Sequence, residues 1–375
     1  MSSIYLHIPF CKQACHYCDF HFSTSLKRKE EMVQALATEL VLRKNELNEE
    51  VETIYFGGGT PSLLTAEELQ ILLTAIYENY EVIEKPEITL EANPDDLTIG
   101  KIEELASSQI NRLSIGIQSF FDEDLRIMNR SHNATQAKKC LEEATKYFNN
   151  ITVDLIYGIP NMSNKRWKEN LKTVFDFGIN HISSYALTVE PKTALESFIH
   201  QGKYPDVSEE LALEHFNILV AETEKQGFVH YEISNFGKPN YFSKHNTAYW
   251  FGKSYLGIGP SAHSFNGKER SWNVSNNVKY LKAIQQHKIP REIEELSIDN
   301  RFNEAIMTGL RTIWGVDLQK IENEFGKNYK SDLLKKAQKF VEQNLLQVTN
   351  KEKLKTTKKG KFLADGLASE LFIID

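Results

Sequence analysis

Cys11-Lys-Gln-Ala-Cys15-His-Tyr-Cys18 is the stretch on which the reading of this chain turns. It follows a short apolar run (residues 4–8) and has the spacing C-x3-C-x2-C. Three of the four cysteines in the 375-residue chain lie within these eight positions. An iron–sulfur cubane usually takes four protein thiolates. Three thiolates from one loop leave one iron with an open position, where a small molecule can coordinate. Zinc is the competing reading, because Cys3His sites are common and His16 and His21 lie close by. Zinc ribbons and fingers pair two knuckles, however, and no second knuckle exists here, so an iron–sulfur cluster is preferred. Cys140, alone in a helical pattern, reads as a buried structural thiol.

Working outward, short β-branched runs alternate with longer helical patterns. Strands are expected at 4–8, 53–56, 87–91, 112–117, 151–156 and 181–187. Helices are expected at 27–48, 66–80, 99–108, 134–148 and 165–177, with N-terminal caps among residues 62–65 and at Asn164. Six strands separated by helices predict βαβ units in a parallel sheet, and therefore an α/β fold. Ligands gather at the C-terminal strand ends of such sheets. Those ends here carry the cysteines, then Phe56-Gly-Gly-Gly-Thr60, Glu91-Ala-Asn-Pro94, Gln118-Ser119 and Asp154. The P-loop pattern G-x4-G-K-[ST] is absent, which argues against a phosphate cradle.

The second half is less periodic. A helix is expected at 208–226 and a further strand at 228–233. The Gly-, Asn- and aromatic-rich segment 235–277 reads as an ordered, functional loop region. From about residue 298 helices return at 303–313, 318–325 and 331–343, followed by a small winged-helix-like tail. The Lys-rich stretch 351–361 reads as a solvated turn. With Lys+Arg 44 against Asp+Glu 51, the net charge of −7 provides no global field for nucleic acid. The N-terminus has no charged-then-apolar leader, and no run approaches the ~18 apolar residues of a membrane span. A cytoplasmic location, without stable membrane insertion, is expected.

The motifs together resemble the radical S-adenosylmethionine (SAM) superfamily. Within it they resemble the family of coproporphyrinogen dehydrogenases and HemW heme chaperones, over nearly the whole chain. The carriers are Tyr5-Leu-His-Ile-Pro-Phe-Cys11, Tyr17-Cys18-Asp19-Phe20, Gly57-Gly-Gly-Thr60-Pro61, and the segments ending at Glu91, Gln118, Arg130 and Asp154. The resemblance implies a partial (β/α)6 TIM-type barrel over 1–235, a connecting region over 236–297, and a C-terminal, mainly helical domain over 298–375. It implies a [4Fe–4S] cluster on Cys11, Cys15 and Cys18. It also implies SAM held by Tyr5 near the sulfonium, Tyr17 near adenine, and Gly58, Gly59 and Thr60 at the methionine amino group. Glu91, Gln118 and Asp154 would reach the ribose or ammonium, and Arg130 the methionine carboxylate.

Two departures bear on activity. The decarboxylating dehydrogenases carry another cysteine two residues after the cluster, within an N-terminal extension. This chain has Phe20 there, and its cluster begins ten residues from the start. Conversely, His245-Asn246-Thr-Ala-Tyr249-Trp250 resembles the H-N-x-x-Y-W motif associated with heme in the HemW group. His263 is a second candidate ligand. The resemblance thus implies a heme chaperone that delivers heme to acceptors such as respiratory components, with a homodimer as an open possibility. The alternative is an oxygen-independent coproporphyrinogen III oxidase. A zinc-stabilised binding protein is a third class.

Overall fold

Residues 1–350 and 352–374 are described by the computed structural model. Six strands run in sequence order and in parallel: β1 (Ser2–Ile8), β2 (Val51–Gly58), β3 (Val82–Ala92), β4 (Arg112–Gln118), β5 (Ile151–Tyr157) and β6 (His181–Ala186). The connecting helices are α1 (Lys29–Leu42), α2 (Ala66–Asn79), α3 (Ile99–Ala106), α4 (Asp122–Ile127), α5 (Ala134–Tyr147) and α6 (Asn164–Asp176). β4 is buried throughout, as expected of a sheet covered on both faces. In β1 and β5 one residue each escapes full burial: Tyr5 and Asp154. Near the end of β3 it is Glu91. The exceptions to core packing are thus polar residues, Tyr5 and Asp154 at mid-strand and Glu91 near a strand end.

Local signals decide the helix starts. Thr65 caps α2 and Asn133 caps α5, each in a capping box with the third helical residue. Asn164 is not the cap of α6 but its first helical residue. The neighbouring Ser163 has the extended backbone, and its Oγ accepts from the Arg166 amide at 3.2 Å. α1 ends at Leu42 rather than 48, because the Arg43 side chain is drawn into a buried network. Arg43 pairs with Glu39 at 3.0 Å and with the Gly257 carbonyl at 2.8 Å. Glu39 also accepts from the Gly259 amide, Asn273 Nδ2 and Tyr280 Oη at 2.6–2.8 Å.

That network anchors a region whose strands the sequence hides. After α7 (Ala194–His200) and α8 (Glu209–Lys225), β7 (Val229–Glu232) and β8 (Asn235–Gly237) extend the β6 side, β8 antiparallel to β6 and β7 antiparallel to β8. α9 (Lys244–Trp250) lies against β1 and β2. β9 (Tyr255–Ile258) pairs parallel with β1, and β10 (His263–Phe265), β11 (Glu269–Asn273) and β12 (Arg291–Glu295) continue antiparallel, with α10 (Asn277–Gln285) between the last two. The segment expected as loop therefore holds four short strands and a helix, the strands too short to show a period of two. The sheet has twelve strands and stays open, because its edge strands β12 and β7 do not pair.

Residues beyond 297 build a separate apolar core around Phe302, Ile306, Leu318, Ile321 and Leu333. The order is α11 (Ile298–Leu310), β13 (Val316–Asp317), α12 (Leu318–Phe325), α13 (Lys327–Glu342), β14 (Leu346–Thr349), β15 (Lys353–Thr356) and α14 (Ala364–Ser369). Helix, strand, two helices and two strands make a winged-helix-like unit. Of the Lys-rich stretch expected as a solvated turn, Lys351 lies outside the described residues, as does the terminal Asp375. Lys353–Thr356 is a strand with Leu354 buried, because alternate residues face the small core. No described helix is long and apolar enough to cross a membrane.

Candidate functional site

The cysteine loop leaves β1 and is pinned from two sides. The Cys11 amide donates to Ser23 O at 3.0 Å, and the His16 amide to Met128 O at 3.1 Å. Asn129 closes the second side, donating to Ala14 O and accepting from Gln13 Nε2, both at 2.8 Å. Lys12 forms ion pairs with Asp95 and Asp96 after β3. Burial pushes the Cys11 thiol up, and Cys18 to about 11, with repulsion from the neighbouring thiols adding to both. Arg130 opposes that repulsion, with a guanidinium nitrogen 3.3 Å from Cys15 Sγ. A cation resting on one thiol of a mutually repelling trio suits a cluster that binds thiolates.

Each histidine beside the loop commits one ring nitrogen to a neighbouring oxygen. His16 Nδ1 bonds Ile127 O at 2.8 Å, and His21 Nε2 bonds Asn277 Oδ1 at 2.7 Å. Among the described residues no three His, Cys, Asp or Glu side chains converge on a single ion.

The glycine loop is a matter of clearance. A Cβ on Gly59 would lie 2.6 Å from Phe10 O and 2.8 Å from Ile8 O, so β2 can pass the start of the cysteine loop only with glycine. Gly58 has φ +104°, and a Cβ there would meet the His7 ring at 2.5 Å. Gly57 leaves room for Tyr5, Tyr55 and Glu91. Thr60 is buried and accepts from Asn93 Nδ2 at 3.3 Å.

Two carboxylates stand on neighbouring parts of the sheet, Glu91 near the end of β3 and Asp154 in the middle of β5. Glu91 accepts from Tyr55 Oη at 2.8 Å and from the Gly58 amide at 3.2 Å. Asp154 accepts from Ser114 Oγ at 3.3 Å. Desolvation raises both to about 7, and their mutual repulsion adds to the shift in Glu91. Such carboxylates gain most from a ligand that brings positive charge or hydroxyl donors. Gln118, also buried, has φ +64°, a strained backbone for a residue with a Cβ. Arg130 also reaches Asn93 Oδ1 at 2.6 Å, Gly116 O at 2.9 Å and Tyr17 Oη at 3.4 Å, while its buried Nε has no partner. The structure thus brings Tyr5, Tyr17, the glycines, Thr60, Glu91, Gln118, Arg130 and Asp154 to one part of the sheet.

From Tyr5, Gly58 and Glu91 a cleft of about 1300 Å³ extends to the C-terminal unit, whose Met307, Trp314 and Phe325 line its far wall. It divides the H-N-x-x-Y-W motif. Tyr249 and Trp250 line the cleft, whereas His245 does not. Asn246 makes its recorded bond through its backbone amide, to the α9 cap Ser243. His245 is 1 % exposed, and its Nδ1 lies 2.7 Å from Thr53 Oγ1 and its Nε2 2.9 Å from Tyr249 Oη. Thr53 donates to Ser3 Oγ, so it accepts from Nδ1–H, and Nε2 accepts from Tyr249. Burial lowers the His245 pKa to about 3, keeping the ring neutral. Both nitrogens are used, and none faces a ligand. His263 lines the cleft and is exposed. Phe20, which stands where the dehydrogenases have a cysteine, lines it too and is 69 % exposed.

Sequence reasoning overlooked Tyr55, which orients Glu91. It also overlooked Asn93, which holds Arg130 and Thr60, and Glu87, whose carboxylate accepts from the Lys244 and His245 amides at the start of α9. Tyr55 carried a usable signal, since it is two residues before the first glycine, opposite Tyr5 in the β1–β2 register. Nothing local marks Trp314, Phe251 or Arg301 as cleft residues.

Comparison with known proteins supplies the family context. The radical SAM superfamily model matches residues 5–184, and the HemN C-terminal domain model matches residues 296–363. The heme chaperone HemW of Lactococcus lactis is 34% identical over 376 aligned residues, covering 100% of this chain and 98% of that protein. That of Bacillus subtilis is 34% identical over 88% of each chain. Among solved structures, coproporphyrinogen III oxidase (HemN) from Escherichia coli superposes with a TM-score of 0.84, over 99% of this chain and 90% of that one. At 23% identity that likeness speaks for the fold alone.

Proposed function

The chain belongs to the HemW heme-chaperone family of radical SAM proteins, and from that premise we propose that it binds heme and passes it to acceptor proteins. The cleft carries this reading. It joins Glu91 to an aromatic wall that includes Trp250, Phe251 and Trp314, and is larger than the ~300–1,000 Å³ of ordinary ligand pockets. A macrocycle with an apolar body and a polar rim suits such a space.

In this reading Cys11, Cys15 and Cys18 hold a [4Fe–4S] cluster. Gly58, Gly59 and Thr60 give the SAM amino group a close backbone approach. Glu91, Gln118 and Asp154 receive its hydroxyls and ammonium, and Tyr5 and Tyr17 flank its sulfonium and adenine. The unpartnered Arg130 Nε is the donor left for the methionine carboxylate. A bound and reduced cluster would supply one electron for reductive cleavage of the SAM sulfonium. Tyr249 and Trp250 contact the macrocycle, while His245 and Asn246 hold the helix that presents them. Residues 1–235 form the SAM core, 236–297 carry the motif, and 298–375 form the far wall. The acceptors are respiratory heme proteins met in the cytoplasm, and the chain works there with or without dimerising.

An anaerobic hemin titration with and without SAM, followed by absorbance, tests this function. A stoichiometric Soret band, with no conversion of coproporphyrinogen III by the same preparation, is the expected result. Turnover of coproporphyrinogen without heme binding would replace the chaperone by the oxidase.

A further inference from the structure

We propose that His263 ligates the iron of heme bound in the cleft, and that Arg301 on the facing helix α11 receives a propionate. The inference rests on the reading of the cleft as the heme site. It departs from the sequence motif, which points to His245.

Three histidines line the cleft: His7, His21 and His263. His7 spends both nitrogens, with Nε2 2.8 Å from His21 O and Nδ1 3.3 Å from Tyr5 Oη. His21 commits Nε2 to Asn277 and stacks on the His7 ring, leaving Nδ1 alone. His263 is exposed, and among the described residues its ring makes no hydrogen bond. Heme iron needs a neutral imidazole nitrogen with a free lone pair. His263 presents two candidates, whereas His245 presents none.

The backbone beneath His263 is held in place. A Cβ on Gly257 would lie 2.0 Å from His263 O, so β9 and the start of β10 run in direct contact. The turn between them includes Gly259 at φ +105° and Ser261 at φ +65°, the latter strained for a residue with a Cβ. Glu39 and Arg43 fasten this turn through Gly257 O and the Gly259 amide. An exposed imidazole on the first residue of a strand that follows a fixed turn is pre-organised in a way that a loop histidine is not.

Arg301 supplies the second observation. It lines the cleft, its Nε is buried without a partner, and among the described residues it makes no ion pair. The other arginine of the cleft, Arg270, is committed to Glu304 at 2.7 Å. A cation without a counter-charge beside an apolar cavity suits an apolar ligand with a carboxylate edge.

The test is an anaerobic hemin titration of the cluster-reconstituted full chain, read by absorbance and by electron paramagnetic resonance of ferric heme. His263→Gly should lose the imidazole-ligated spectrum and weaken hemin binding about 10- to 100-fold, the range typical even for groups one step from a metal. Added imidazole should restore the spectrum in His263→Gly, which a merely structural role would not produce. His245→Ala should retain the imidazole signature. Arg301→Gln should weaken hemin binding without altering the spectrum. Unchanged spectrum and affinity in His263→Gly, or loss of the signature in His245→Ala alone, would overturn the assignment. Failure of the unmodified protein to bind hemin would instead sink the chaperone reading itself.

Discussion

The ring of His245 stacks on the ring of Tyr55, with centroids 4.7 Å apart and planes 25° apart. Tyr55 in turn donates to Glu91, and His245 is bonded to Tyr249. A contiguous set of side chains therefore runs from a strand-end carboxylate to the wall of the cleft. In this arrangement the motif histidine is a buried link between the two halves of the site.

Removing that link should cost stability. His245→Ala leaves a cavity and strands the Thr53 and Tyr249 hydroxyls, so a loss of about 2–4 kcal/mol is expected. Chemical denaturation of the apoprotein measures it. A loss of less than about 0.5 kcal/mol, the usual range for surface substitutions, would mean that the ring is not packed as described.

Acid should unfold the chain through its buried imidazoles. Desolvation depresses His245 and His230 to about 3 and His7 to about 4. The unfolded chain takes up protons near the ordinary ~6.5, before the folded one does. Their contribution is therefore present above that pH and lost as pH falls through 4 to 3. Urea midpoints measured from pH 7 to pH 4 should fall, and the slope should be shallower in a His245→Asn variant.

Glu91 has the opposite sign. Its pKa is raised to about 7, chiefly by desolvation and further by Asp154. The folded apoprotein binds this proton more tightly than the unfolded chain, so stability falls as pH rises through 7. Glu91→Gln should raise the apoprotein Tm at pH 8 but not at pH 5. It should also weaken SAM binding by about 10- to 100-fold, the worth of a hydrogen bond to a charged group. Calorimetry reads both effects.

Clearance at the glycine loop predicts a loss of iron. Gly59→Ala places a methyl group against the Ile8 and Phe10 carbonyls, displacing the start of the cysteine loop. Iron and sulfide content after anaerobic reconstitution should fall well below that of the parent protein. Retention of a full cluster would show that the loop accommodates the methyl.

Cysteine substitutions separate cluster from core. Cys15→Ala should abolish the broad absorbance near about 400 nm expected of a reconstituted cluster. Cys140→Ser should keep it, because Cys140 is buried in the apolar core on α5. Full iron content in Cys15→Ala would refute the cluster assignment.

The six parallel strands and their helices were legible because a buried parallel strand is a local apolar run, and a helix start is a local cap. Thr65 needed no distant partner to declare itself. The cluster loop was legible for the same reason, its spacing being contained in eight residues. The strands β9 to β11 were not, because runs of three to five residues gain their pairing from the edge of β1 and their anchorage from Glu39 and Arg43, more than two hundred residues away in sequence.

The sequence by itself determined the chemistry on offer: three thiols in one loop, glycines at one strand end, and carboxylates on two other strands. Tertiary structure alone decided which groups face a ligand. It turned His245 inward against Thr53, Tyr55 and Tyr249, left His263 open after a fixed turn, and brought Arg301 and Trp314 to the same cleft. The reason is physical: a motif records residue types and spacing, whereas the availability of a lone pair depends on every neighbour that could use it first.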